Sequence, residues 1–111
     1  MIAHVVLYRF PPVMPTGDRE RFLADLASAT SATGTVDRFT AGRHRPLPVA
    51  DAVAPRWLFS VAARWEFTDM AAMHRFSQHP AVTDVIDRWV VDAGIEVAFA
   101  NTEDEWEVGP S

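Results

Sequence analysis

Residues 1 to 10 read Met1-Ile-Ala-His-Val-Val-Leu-Tyr-Arg-Phe10. In a strand, side chains alternate between faces with a period of two. Ile2, His4, Val6, Tyr8 and Phe10 then share one face, and Ala3, Val5, Leu7 and Arg9 the other. Both faces are largely apolar, the pattern of a strand covered on both sides. A histidine inside such a strand needs a hydrogen-bond partner or a cavity.

Outward from this strand, Pro11, Pro12 and Pro15 end the ladder, because proline has no amide donor. A helix is expected over about residues 18 to 30. Phe22, Leu23, Leu26 and Ala29 lie on its inner face, Asp18, Arg19, Glu20 and Arg21 form a solvated first turn, and the stretch from Ser31 to Gly34 is its stop. Val36 to Arg43 reads as a strand of mixed polarity near a sheet edge. Residues 44 to 55 contain Pro46, Pro48 and Pro55 and read as an irregular segment, long enough for a lid or interface element. Trp57 to Phe67 reads as a second strong strand. Trp57, Phe59, Val61, Ala63, Trp65 and Phe67 face one way, and Leu58, Ser60, Ala62, Arg64 and Glu66 the other.

Thr68 can cap a short helix over residues 69 to 78, with Asp69 at its positive end. His79-Pro80 breaks that helix and starts another. Val82, Val85, Ile86, Trp89, Val90 and Ala93 form its apolar stripe, and Gly94 ends it. Ile95 to Ala100 is the last strand. One domain is expected over residues 1 to 101, followed by an acidic tail, 102 to 111, that includes Trp106.

The order strand, helix, two strands, helix pair, strand is the split βαβ pattern of a ferredoxin-like α+β fold, an antiparallel sheet with helices on one face. The other sheet face stays apolar, with Ala3, Val5, Leu7, Leu58 and Ala62 on it. An apolar face of that size has to be buried. A second copy packed sheet to sheet about a two-fold axis closes it, so a homodimer is expected.

Composition narrows the class. The 111 residues suit one domain, and 49% hydrophobic with 23% charged residues is ordinary for a globular chain. A net charge of -5 disfavours nucleic acid as a partner, since phosphate binding needs a basic face. With no cysteine, disulfides, thiolate catalysis and zinc–thiolate sites are excluded. No apolar run approaches the roughly 20 residues of a membrane span. The first residues lack the basic region and cleavage site of a secretory leader, so a cytoplasmic protein is expected.

Four phrases carry a family resemblance: Ile2-Ala-His-Val-Val-Leu-Tyr-Arg-Phe10, the segment Gly34 to Gly42, Trp65-Glu-Phe-Thr-Asp69 and Phe76-Ser-Gln-His-Pro-Ala81. In this order and spacing the chain resembles the stress-responsive A/B barrel (Dabb) family over roughly residues 1 to 101. The resemblance implies a dimeric α+β barrel with a pocket between sheet and helices, open to a small apolar ligand. Members of the family include plant stress proteins and a cofactor-free polyketide cyclase, olivetolic acid cyclase. Related barrels include cofactor-free monooxygenases and haem-handling proteins. The cyclase's catalytic histidine, second in a His-Pro-x-His motif, falls here at Val82. Its carboxylate partner on the last strand falls at Ala100, or at Asn101 if the register slips by one. Its pocket tyrosine falls at Phe76. The same reaction by the same groups is therefore not expected.

His4 reads either as a satisfied core histidine or as a general base, since imidazole titrates near neutral pH. Tyr8 reads as cavity wall or as a donor to a substrate oxygen. For the last strand, one register puts Glu96, Ala98 and Ala100 on the face of His4, and a His–Glu pair would mark a site. The other puts Ile95, Val97 and Phe99 inward, and it is preferred for its ordinary core pattern. His79 reads as a helix cap or as a second pocket imidazole. His74 is placed on the solvent side of its helix, and Arg43-His-Arg45 is read as a solvated loop. The histidines do not support a metal site, and no cofactor is expected.

These readings lead to a small-molecule-binding protein for a small hydrophobic carbonyl or polyketide-like compound, acting if an enzyme as a cofactor-free cyclase or lyase. His4 and Tyr8 would supply its polar chemistry. Phe22, Leu26, Val61, Trp65, Phe76, His79, Val82 and Trp89 would line its pocket. The alternative is a non-enzymatic dimer, a stress-type or interaction protein with its interior filled by side chains. A third reading is a monooxygenase or haem-handling barrel.

Overall fold

The computed structural model describes residues 1–103. The stretch that opens the sequence becomes β1 (Ile2–Arg9), an inner strand of a four-stranded antiparallel sheet. On one side it pairs with β3 (Val61–Phe67), with His4 opposite Trp65 and Tyr8 opposite Val61. On the other it pairs with β4 (Glu96–Glu103), with His4 opposite Asn101 and Tyr8 opposite Val97. β2 (Arg38–Arg43) pairs with β3 at the far edge, giving the order β2-β3-β1-β4 of a ferredoxin-like sheet.

Four helices join the strands. α1 (Thr16–Thr33) runs longer at both ends than the apolar spacing implied, and ends at Gly34 with φ 65°. A residue with a side chain enters that left-handed conformation at a cost, so glycine is the natural stop. Phe22, Leu26, Ala29 and Thr30 are its buried positions. The segment expected to be irregular contains α2 (Pro48–Val53), with proline in its first turn and no buried residue. α3 (Met70–Gln78) is capped by Asp69, whose carboxylate accepts from the Ala72 amide at 2.8 Å. Thr68, the expected cap, instead donates to Asp37 at 2.7 Å. α4 (Pro80–Val85) continues as a π-helical stretch, Ile86–Asp92, in which the Ala93 amide reaches back to the Arg88 carbonyl at 3.1 Å.

β3 starts four residues later than the alternation of Trp57, Phe59 and Val61 suggested. Pro55 begins a single 3₁₀ turn, Pro55–Trp57, and the Trp57 amide bonds back to the Ala54 carbonyl at 3.1 Å. Pairing to β1 begins only where the Ser60 amide meets the Tyr8 carbonyl at 2.7 Å. Trp57 is consequently exposed. At its other end β4 runs beyond the expected boundary at 101. Thr102 and Glu103, assigned to the acidic tail, pair with Ala3 and Ile2. The rest of that tail, with Trp106, lies outside the described residues.

The last strand takes the second of its two registers. Val97, Phe99 and Asn101 share the face of Tyr8, Val6 and His4, and Glu96, Ala98 and Ala100 lie on the opposite face. Glu96 there pairs with Arg9 at 2.6 Å. The core fills the space between the inner sheet face and the helices. Phe22, Trp65 and Phe67 are almost wholly buried, and Phe22 meets Tyr8, Phe10 and Trp89 edge-on.

A buried polar contact crosses this core. The Trp65 indole N–H donates to the Thr30 hydroxyl at 2.9 Å, and that hydroxyl donates to the Leu26 carbonyl at 2.8 Å. Both residues are buried. Thr30→Val keeps the shape and strands the indole N–H without an acceptor. A loss of about 1–3 kcal/mol in urea-unfolding free energy, at unchanged denaturant slope, is expected.

Candidate functional site

The helices do not cover the whole inner face. Over β3 the face is sealed, but over the edge strand β4 it is open, with Val97 38% and Phe99 68% exposed. A cavity of about 500 Å³ occupies this strip, between the inner residues of β1 and β4 and one side of α3, α4 and the π-helical stretch. Its walls are mainly apolar, from Val6, Met73, Phe76, Val82, Ile86, Val90 and Phe99. A smaller chamber of about 60 Å³ shares His4, Tyr8, Phe76 and Val82 with it and reaches Phe22, Leu26, Thr30 and Trp65. The volume falls in the range of small-ligand pockets, roughly 300–1,000 Å³.

Two polar side chains of β1 point into this space, His4 and Tyr8. Period-two alternation puts them on the same face, and position beside the open edge strand gives them access. The His4 ring lies between Trp65 and Phe99, with centroid separations of 5.4 and 5.8 Å. Its Nδ1 is 2.6 Å from Oδ1 of Asn101, its cross-strand partner. An amide oxygen only accepts, so Nδ1 carries the proton and donates. The lone pair is then left on Nε2, for which the described residues offer no partner. An imidazole held in that tautomer keeps its Nε2 lone pair free to accept a proton.

Tyr8 is buried against Phe22 at 5.0 Å, and burial drives its phenol pKa well above the ordinary value of about 10. The phenol is therefore neutral at physiological pH and able to donate. Among the described residues no hydrogen bond engages its hydroxyl, and the ring lines both cavities.

The expected pocket residues divide. His4, Tyr8, Phe22, Leu26, Trp65, Phe76 and Val82 border the main cavity or its chamber. Val61, His79 and Trp89 border neither. Val61, the first residue of β3, is buried core. His79 is a helix cap: its Nδ1 accepts from the Ala81 amide at 3.0 Å at the start of α4. The Trp89 indole donates to Asp25 at 2.9 Å and ties α1 to the helix after α4. Conversely Asn101, His74, Met70 and Ser77 reach the cavity, although the sequence reading did not select them as lining. His74 is exposed as expected, but at the cavity rim. The signal for Asn101 was present in the strand register that also put Phe99 inward. Among the described residues no three His, Cys, Asp or Glu side chains converge as a metal site would require.

The chain has one tyrosine, so a spectrophotometric titration reports on Tyr8 alone. The phenolate transition should be missing near pH 10 and appear only at higher pH or with unfolding. Because the folded pKa is raised, the native state holds the proton longer than the unfolded one. This contribution to stability is intact below about pH 10 and is lost as pH climbs beyond it. A native-state transition at the ordinary phenol value would contradict the buried placement.

No protein-family model matches the sequence, and no curated protein matches it. Solved structures do match. A Dabb family protein with a ferredoxin-like fold from Mesorhizobium loti is 24% identical, with TM-score 0.74 over 95% of this chain and 97% of that one. The hydroxynitrile lyase of Passiflora edulis is 15% identical, with TM-score 0.74 over 96% of each chain. A dimeric ferredoxin-like protein of unknown function from Thermobifida fusca is 12% identical, with TM-score 0.73 over 91% of this chain and 88% of that one. The chain thus shares the fold of a Dabb family protein, the fold that its sequence resemblance implied.

Proposed function

We propose that this chain is a Dabb-type protein that forms a homodimer and binds a small hydrophobic carbonyl compound in the cavity beside β4. In this reading it acts on that compound as a cofactor-free lyase or cyclase. The observation that carries the reading is the His4–Asn101 pair opening into an apolar cavity of about 500 Å³. A non-enzymatic dimer with a filled interior fits that space less well.

The chemistry follows from two groups. His4 Nε2 takes a proton from the carbon beside the ligand's carbonyl. The electron pair of the broken C–H bond moves onto the carbonyl oxygen, giving an enolate. The Tyr8 hydroxyl, kept protonated by burial, donates a hydrogen bond to that oxygen as its charge develops. Asn101 fixes the imidazole tautomer that leaves Nε2 free. A similarly folded protein named as a lyase supports this class of reaction, and a similarly folded protein described as dimeric supports the homodimer. The outer sheet face, with Leu7 and Ala62 exposed, is the surface such a dimer would cover.

Acetophenone is a suitable probe, because exchange of its methyl protons with D₂O is read directly by NMR. The protein should accelerate that exchange, and His4→Ala should lower the acceleration by about 10²–10⁴. Exchange at the solvent rate, or exchange unchanged in His4→Ala, would remove proton abstraction by His4 from the proposal.

A further inference from the structure

We infer that the ligand of the cavity beside β4 is a keto acid, and that His74 holds its carboxylate at the cavity mouth. The inference rests on the carbonyl-ligand reading above and names a substrate class and a positioning residue for it.

Four residues of α3, Met70, Met73, His74 and Ser77, line the cavity. Their spacing, i, i+3, i+4 and i+7, is that of one helix face. Met73 is buried, whereas Met70, His74 and Ser77 are exposed and form the outer edge of that face. On the sheet side of the mouth, β4 supplies Phe99 and Asn101, both exposed.

The chain has 15 acidic residues and a net charge of -5, yet no Asp or Glu among the described residues lines this cavity. No Arg lines it either, and the chain has no lysine. An anion entering here meets no carboxylate, and only the two imidazoles can offer it a cationic partner. His4 is engaged with Asn101 and is the base of the proposed reaction. His74 is left. Its backbone carbonyl accepts from the Ser77 hydroxyl at 2.9 Å, and among the described residues no partner engages its ring.

An imidazole donates an N–H in either protonation state, and charge on the acceptor strengthens the bond. The Asn101 amide turns its oxygen to His4, which leaves Nδ2 as a second donor at the mouth. A carboxylate fits this rim better than a phosphate. A phosphate dianion is met by guanidinium forks or lysines, whereas one imidazole beside a neutral amide suits a single charge. Behind the rim the walls are apolar. The ligand is therefore amphipathic, with an apolar body and its carbonyl inside and an acid group outside.

Isothermal titration calorimetry of the full chain with 4-acetylbenzoate and its uncharged isostere 4-acetylbenzamide tests this. The wild type should bind the acid about tenfold more tightly than the amide. In His74→Ala that preference should vanish. In His74→Lys, which restores a cation at the same exposed position, it should persist. Equal affinity for the two compounds in the wild type would overturn the keto-acid class. A preference undiminished in His74→Ala, or lost equally in both variants, would overturn the role of His74. A wild type that binds neither compound sinks the cavity reading itself, and this inference with it. Binding is read without proton exchange, so failure of His4 as a base leaves these outcomes intact.

Discussion

The molecule depends on a mismatch of cover: the sheet has four strands, and the helix layer buries the inner face chiefly over the two central ones, β1 and β3. Where α1, α3 and α4 press on β1 and β3, Val61, Trp65 and Phe67 are almost entirely buried. Where the layer stops, β4 leaves Val97, Phe99 and Asn101 facing open space. A sheet edge left bare in this way exposes apolar area that the rest of the fold works to hide. The π-helical stretch Ile86–Asp92 forms the far wall of the same space, through Ile86 and Val90. Such widened turns recur at functional sites.

Against that open strip, the polar groups of β1 divide their tasks by depth. Tyr8 sits deep against Phe22, and desolvation makes its phenol a weak acid and a persistent donor. His4 sits nearer the rim, between two aromatic rings, with Asn101 fixing its tautomer. His4 is half-buried and Asn101 exposed, so their bond orients the imidazole at the cavity mouth rather than rescuing a buried polar group.

Much of this was legible in the sequence, and the misses have physical causes. The alternation in residues 2 to 10 places His4 and Tyr8 together, and the order of elements gives the ferredoxin-like topology. Phe22, Leu26, Trp65, Phe76 and Val82 reach the cavity or its chamber because helix and strand periods fix their faces. Trp89 and Val61 have the same apolar signature and are core, since a period identifies an inward face without telling where the covering layer ends. His79 could serve as a cap or a ligand, and the bond to the Ala81 amide decides between them. Trp57 reads as strand because its alternation continues that of β3, whereas Pro55 turns the chain first. Asn101 follows from the preferred register that puts Val97 and Phe99 inward, but the expected strand stops at Ala100, one residue short of it.

Asn101 also limits what the site can do. A carboxylate beside His4 would stabilise the imidazolium formed when Nε2 takes a proton, because opposite charges at hydrogen-bond distance favour the charged form. The Asn101 amide orients the ring just as firmly through its 2.6 Å contact, but it offers a dipole in place of a charge. In the proposed reaction the same imidazole would remove a proton and return it, with the charge resting on an oxygen near Tyr8 in between. The lyase or cyclase chemistry proposed for this cavity would use His4, Tyr8 and Asn101 in these roles.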